Sequence, residues 1–228
     1  MRLRPFPFRL QLFSALRTAG PSTTAGIPLF KERSPMSLSI LMVGNSLTAA
    51  NAMPTILASL LDAQVVAITR GGARLAEFSN PLTKTGSRVL QALDGDGTQA
   101  EHGCFDYVIA QDMSHLPATN PSAHERAVAK ICELARDHNA APVLYGTWGY
   151  REDSAKLKKL GMSAAQMGQL MHEGSLRAAA AHGAIFVDMA KAVAQMEDAS
   201  WFYAVDGVHP SPAGSQFVAQ TIADALNR

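Results

Sequence analysis

Ser46, Asp206 and His209 are the residues of this chain whose types and spacing suit proton transfer, and they stand at its two ends. Ser46 lies in "VGNSLT" (residues 43–48), where a four-residue apolar run, Ile40 to Val43, meets Gly44. A serine in that place has two readings. It can cap the helix that follows, or it can be a nucleophile held on a tight turn. Neither G-x-S-x-G nor a phosphate-binding glycine pattern is present, since position 48 is Thr and no Walker lysine follows. Near the other end, "DGVHPSPAG" (residues 206–214) puts Asp206 three residues before His209. A carboxylate that close accepts from one imidazole nitrogen and leaves the other free to take a proton from a serine. The plainer reading makes Asp206 a turn residue and His209 merely the neighbour of Pro210.

Both segments need elements to bring them together. Short apolar stretches at 38–43, 64–69, 107–110, 142–146 and 184–187 do not alternate in polarity, as expected of parallel strands covered on both faces. Helical segments lie between them. "SAHE" (122–125) and "SAAQ" (163–166) fit capping boxes, Gly183 suits a helix end, and "SPAG" (211–214) places Ser211 as N-cap with Pro212 at the first helical position. The pattern is that of an α/β fold, a three-layer α/β/α sandwich with about five parallel strands. Ligands of such folds bind beyond the carboxyl ends of the strands. That rule selects "GNSLT", "RGGARL", "QDMSHLPATN", "TWGYRE" and "DGVHPSPAG" as the segments from which a site would be built.

With its first block "VGNSLT" and its last "DGVHPSPAG", the sequence resembles the SGNH (GDSL-type) hydrolase superfamily over most of residues 38–226. It looks closest to a subgroup with a GNS first block and a D-x-x-H-P last block. The resemblance implies a flavodoxin-like arrangement, with Ser46 as nucleophile, His209 as general base and then acid, and Asp206 as its orienting partner. It also implies an oxyanion hole shared by the Ser46 N–H, a glycine N–H of a second block and an asparagine amide of a third. "RGGARL" matches the second block, offering Gly71 or Gly72, with Gly72 preferred. The third block departs from the pattern G-x-N-D. In "AQDMSH" Gln111 falls on the glycine and Met113 on the asparagine, and a thioether donates no hydrogen bond. Gln111 is the nearest amide and is carried forward as the third donor. Trp148, Tyr150 and His115 are carried forward as substrate-binding residues.

The function expected is that of a serine esterase working through an acyl-enzyme on Ser46. Without a long apolar lid segment, a small acyl group such as acetyl on a carbohydrate is favoured. Three rivals stand beside it: a non-catalytic binder on the same scaffold, motivated by Met113; an acyltransferase using the same triad; and, more distantly, a flavodoxin-like nucleotide binder. No cofactor is required. The seven histidines form no H-E-x-x-H or similar pair, so no metal is expected.

Composition sets the remaining bounds. The 228 residues are 47% hydrophobic and 17% charged, as in ordinary globular proteins. Of the 20 basic and 19 acidic residues, six basic (Arg2, Arg4, Arg9, Arg17, Lys31, Arg33) and one acid (Glu32) precede Met36, leaving 14 and 18 and a net charge of −4 for the remainder. No basic nucleic-acid surface is read from that balance. No run of about 18 apolar residues suggests a membrane span. Arg9 and Arg17 interrupt any secretory h-region. Residues 1–35 are expected to be a poorly ordered extension or sequence upstream of a true start at Met36, with an organelle presequence as the alternative, and 36–228 to be one domain. Cys104 and Cys132 lack metal-type spacing and are expected to be reduced thiols of a cytoplasmic protein. The expected partner is a small-molecule ester, and the oligomeric state is left open.

Overall fold

The structure, a computed structural model, describes residues 38–95 and 105–227. The expectations for residues 1–35 and for Cys104 fall outside the described residues. Strands β1 (Ser39–Gly44), β2 (Gln64–Thr69), β3 (Tyr107–Ala110), β4 (Ala141–Gly146) and β5 (Ile185–Asp188) form one parallel sheet in the order β2-β1-β3-β4-β5. Each starts and ends within about a residue of the apolar stretch that announces it. The helices between them are α1 (Ser46–Ala49), α2 (Met53–Leu61), α3 (Leu75–Phe78), α4 (Lys84–Asp94), α5 (Leu116–Thr119) and α6 (Pro121–Asp137). After β4 come α7 (Ala155–Leu160), α8 (Ala164–Ala181), α9 (Met189–Ala194) and α10 (Pro212–Leu226).

The period of two along a strand divides the core. In β1, Leu41 and Val43 point into a cluster with residues of α3, α4, α6 and α8. Ile40 and Met42 point into the opposite cluster, built by α2, α9 and α10. The same division separates Val108 from Ile109 in β3 and Leu144 from Val143 and Tyr145 in β4. Burying one such side chain stabilises the fold by roughly 1.5–3 kcal/mol, so β1, β3 and β4, sealed on both faces, are the rigid centre. The outer strands are less covered. Gln64 and Ala67 of β2 and Ile185 of β5 are exposed, so the two-face burial expected of all five strands holds only for the inner three.

The helix starts follow short polar side chains. Ser163 and Gln166 form the expected capping box at α8. Ser211 caps α10, accepting from the Gly214 N–H at 3.0 Å, with Pro212 at the first helical position. "SAHE" behaves differently. Asn120, not Ser122, caps α6, because Pro121 already occupies its first position and moves the start back by two residues. That shift turns His124 inward, to 2% exposure.

The order β2-β1-β3-β4-β5 reverses direction between β1 and β3, the switch point at which open α/β sheets offer a crevice. The loops after these two strands carry Ser46 and the segment 111–115. No helix among the described residues is long and apolar enough to cross a membrane.

Candidate active site

At the end of β1, Gly44 is demanded by space. A Cβ there would lie 2.3 Å from Thr48 Oγ1 and 2.8 Å from Gln111 Oε1. Asn45 then takes the role of helix cap, its Oδ1 accepting from the Leu47 N–H at 3.1 Å. Its Nδ2 donates to the carbonyls of Ala73 and Asp112, both at 3.3 Å, which ties the first block to the second and third. Because Asn45 caps α1, the Ser46 hydroxyl is left for other work. It lies 2.9 Å from His209 Nε2.

His209 is held by a tight loop. Tyr203 and Pro210 pair across its base, the Ala204 N–H donates to the His209 carbonyl at 2.8 Å, and Gly207 adopts φ +67, which favours glycine. Asp206 Oδ1 accepts from the N–H groups of Val208 and His209, both at 3.0 Å, while Oδ2 lies 2.6 Å from His209 Nδ1. A carboxylate only accepts, so Nδ1 carries the proton and Nε2 presents its lone pair to Ser46. Burial pushes the Asp206 carboxyl upward, but the His209 ring, the two backbone donors and the charge on His209 outweigh it and hold the group at about 2.

Three residues brace this loop, and their roles were not evident from sequence. Asn51 Nδ2 donates to the Pro210 carbonyl at 3.0 Å and to Ser215 Oγ at 2.9 Å, joining the segment after Ser46 to the one after His209. Asn51 and Ala52 both have left-handed backbone, with φ of 50° and 55°. Arg151 donates to the carbonyls of Ala204 and Val205. Trp148 donates from Nε1 to the Val208 carbonyl at 3.0 Å and packs edge-on to Phe202. Trp148 is wholly buried and does not line the Ser46 cavity. The expectation that it binds substrate is corrected accordingly: its indole serves the core and the histidine loop.

Gly72, at φ +67, lines the cavity in front of Ser46, and Gly71 does not. Among the described residues, neither the Ser46 nor the Gly72 N–H has a protein acceptor. The third block resolves differently from its expected part. Gln111 is fully buried. Its Oε1 accepts from the Asn45 N–H at 2.9 Å and from Thr48 Oγ1 at 3.0 Å, and its Nε2 donates to the Asp112 carbonyl. With both ends of the amide engaged inside the protein, Gln111 braces the serine turn and is not aimed at an oxyanion. Asp112, buried with His124, accepts from the N–H groups of Leu75 and Met113 through Oδ1 and meets His124 Nδ1 at 2.8 Å. It thereby links the second and third blocks. A neighbouring polar residue gave no signal in sequence for that role, because the partner, His124, comes from α6.

The cavity has a volume of about 270 Å³. Leu47, Met113, Leu160 and Val208 form its apolar walls, and His209 and Ser46 lie on its floor with Gly72. Tyr150 and His115 also line it, and with Ser114 they form a chain, Tyr150 Oη lying 2.6 Å from Ser114 Oγ and 3.4 Å from His115 Nδ1. Burial raises the Tyr150 hydroxyl above its ordinary value, against the pull of Ser114, so it stays protonated. Burial, helped by the charges of Arg74 and Lys156 and opposed by that of Asp112, lowers His115 and favours its neutral form.

No protein-family model matches the chain, and no curated protein sequence matches it significantly. Solved structures do. A protein from Slackia heliotrinireducens assigned to the SGNH hydrolases is 47% identical, covering 84% of this chain and 100% of its own, with a TM-score of 0.76. A lipase/acylhydrolase from Enterococcus faecalis is 14% identical over 83% of this chain and 95% of its own, with a TM-score of 0.57. The α/β hydrolase LAE5 from the metagenome of Lake Arreo, Spain, is 16% identical over 84% and 97%, with a TM-score of 0.60. The last two share the fold with this chain.

Proposed function

Since the chain belongs to the SGNH hydrolases, we propose that it is a serine esterase whose nucleophile is Ser46, whose general base is His209 and whose orienting carboxylate is Asp206. The observation that carries this reading is the unbroken relay Ser46 Oγ–His209 Nε2 at 2.9 Å and His209 Nδ1–Asp206 Oδ2 at 2.6 Å. As Ser46 Oγ attacks the ester carbonyl, its proton passes to His209 Nε2, and Asp206 stabilises the imidazolium that forms. The imidazolium then protonates the departing alkoxide, leaving an acyl-Ser46. His209 next takes a proton from water, the hydroxide attacks the acyl carbonyl, and the carboxylic acid leaves as Ser46 regains its proton.

The negative charge on the carbonyl oxygen needs donors already in place. The Ser46 and Gly72 N–H groups, both without acceptors among the described residues, are suited to supply two. The cavity of about 270 Å³ falls just under the usual range for drug-sized ligands, roughly 300–1,000 Å³. That size favours a small acyl group, such as acetyl on a carbohydrate, over a long-chain lipid.

The test is labelling of the folded protein with a fluorophosphonate, followed by peptide mapping. Modification confined to Ser46 is expected, with none in Ser46→Ala and a rate lower by about 10²–10⁴ in His209→Ala. Met113, in the place of an amide donor, favours one other reading, a binder without turnover. A folded protein that resists the label while still binding esters would select it. Product analysis with an acceptor alcohol separates hydrolysis from acyl transfer, which shares the same intermediate.

A further inference from the structure

Resting on Ser46 as the nucleophile, we propose that the ester it cleaves carries an anionic group, a carboxylate or phosphate, which Lys156 and Lys159 receive at the wall of the Ser46 cavity. Both lysines line that cavity, as does Leu160. All three belong to α7, where residues three and four apart share a face. Leu157, on the adjoining face of the same helix, is buried with Met167, Met171 and Val208 and anchors it. Lys158 is exposed and takes no part in the cavity, so the run "KLKK" divides into two lysines that face the site and one that does not.

Both lysines are exposed, as is Lys158, and what distinguishes them is their place on the cavity wall. Neither has a carboxylate partner among the described residues. The site's own carboxylate, Asp206, is engaged by His209. Lys156 also stands at the second position of α7, behind the cap Ser154. There the helix dipole disfavours a cation, so helix stability does not account for it. Arg74, exposed beside the glycine turn, adds charge of the same sign, and both Arg74 and Lys156 depress His115 within the cavity. The positive field therefore reaches the cavity, offset in part by Asp112, which acts on His115 in the opposite sense, and by Asp153 and Asp206, which line a neighbouring groove with Lys156. Lysine is a compact point charge on a flexible apolar stem. Its methylenes can extend the wall formed by Leu160 and Val208 while the ammonium stays in water.

The experiment measures equilibrium binding to the full-chain Ser46→Ala protein, so it does not depend on turnover. The probes are amides shaped like esters. N-propylglutaramate carries its carboxylate on the acyl side and N-acetyl-4-aminobutyrate on the alcohol side; N-propylpentanamide and N-butylacetamide are their uncharged counterparts. At low salt, one charged probe is expected to bind about fivefold or more tightly than its neutral counterpart, the range that two partly solvated ion pairs supply. The advantage should shrink at high salt, vanish in Ser46→Ala/Lys156→Ala/Lys159→Ala, and reverse when both lysines are replaced by Glu. Which probe shows it assigns the anion to the acyl or the alcohol side. Equal affinities for charged and neutral probes, or an advantage that survives removal of both lysines, would overturn the proposal. Loss of fluorophosphonate labelling in the wild type would instead strike the esterase reading, and the two failures are thus distinct.

Discussion

A single buried amide shows how a residue that looks like a catalytic donor can serve another purpose. Gln111 sits one residue past the end of β3, two positions from the column where the resemblance implies an oxyanion donor, yet its carbonyl oxygen receives the Asn45 N–H and the Thr48 hydroxyl. Replacing it with Leu would leave both donors buried without an acceptor, a loss of about 1–3 kcal/mol each in the unpaired limit. Gln111→Leu is therefore expected to lower stability in urea denaturation, and to slow labelling of Ser46 only as far as the serine turn loosens. A large loss of labelling at unchanged stability would mean that the amide reaches the oxyanion after all. Gly44→Ala tests the same turn from beneath. Its methyl would overlap Thr48 and Gln111, and overpacking of this kind costs about 1–3 kcal/mol. A variant as stable as wild type would show that the turn has room to shift.

Among elements, the critical join is between the turn after β1 and the loop before α10, since the relay spans 163 residues of sequence. Asn51 makes that join through Pro210 and Ser215. Its left-handed backbone is one that asparagine adopts more readily than most side chains. Asn51→Ala removes both hydrogen bonds and puts alanine at φ 50. The expected outcome is a loss of about 1–2 kcal/mol and a fluorophosphonate rate slowed about tenfold, because Ser46 and His209 no longer share a fixed register. Unchanged kinetics in the variant would show that β1 and α10 hold the register alone. Asp188 gives a second example of an element end with two duties. It caps α9, accepting from the Lys191 N–H at 3.0 Å, and meets His172 Nδ1 at 2.5 Å.

For the molecule as a whole, stability should respond both to the core and to acid. Leu41 is fully buried in the cluster on one face of the sheet. Leu41→Ala is expected to cost about 2–5 kcal/mol in urea denaturation while the molecules that remain folded still label at Ser46. Asp206 sets an acid limb. Its carboxyl is lowered from an ordinary value of 3.8 to about 2, so the stabilisation it provides is complete above 3.8 and is lost as the pH falls through about 2. The stability difference between wild type and Asp206→Asn should accordingly narrow between pH 4 and pH 2. A difference that stays constant across that window would mean that the hydrogen bonds to Asp206 do not favour its charged form.

Sequence alone determined the strands, the two end blocks and the order in which they occur, because each depends on local chemistry. An apolar run bounded by glycine can form a covered strand wherever it lies, and Ser163 and Ser211 cap helices through donors only three residues away. It also brought Ser46, Asp206, His209 and Gly72 forward; in the structure Ser46, His209 and Gly72 line one cavity, and Asp206 meets His209 from outside it. Tertiary structure alone decided which of the remaining polar residues face that cavity. Trp148 and Gln111 were turned inward by partners 60 and 66 residues distant, Val208 and Asn45. Lys156 and Lys159 came to the cavity wall with Leu160 once α7 docked through Leu157 on the adjoining face. A side chain's direction is set by what its element must hide and against what, and that information lies in other parts of the chain.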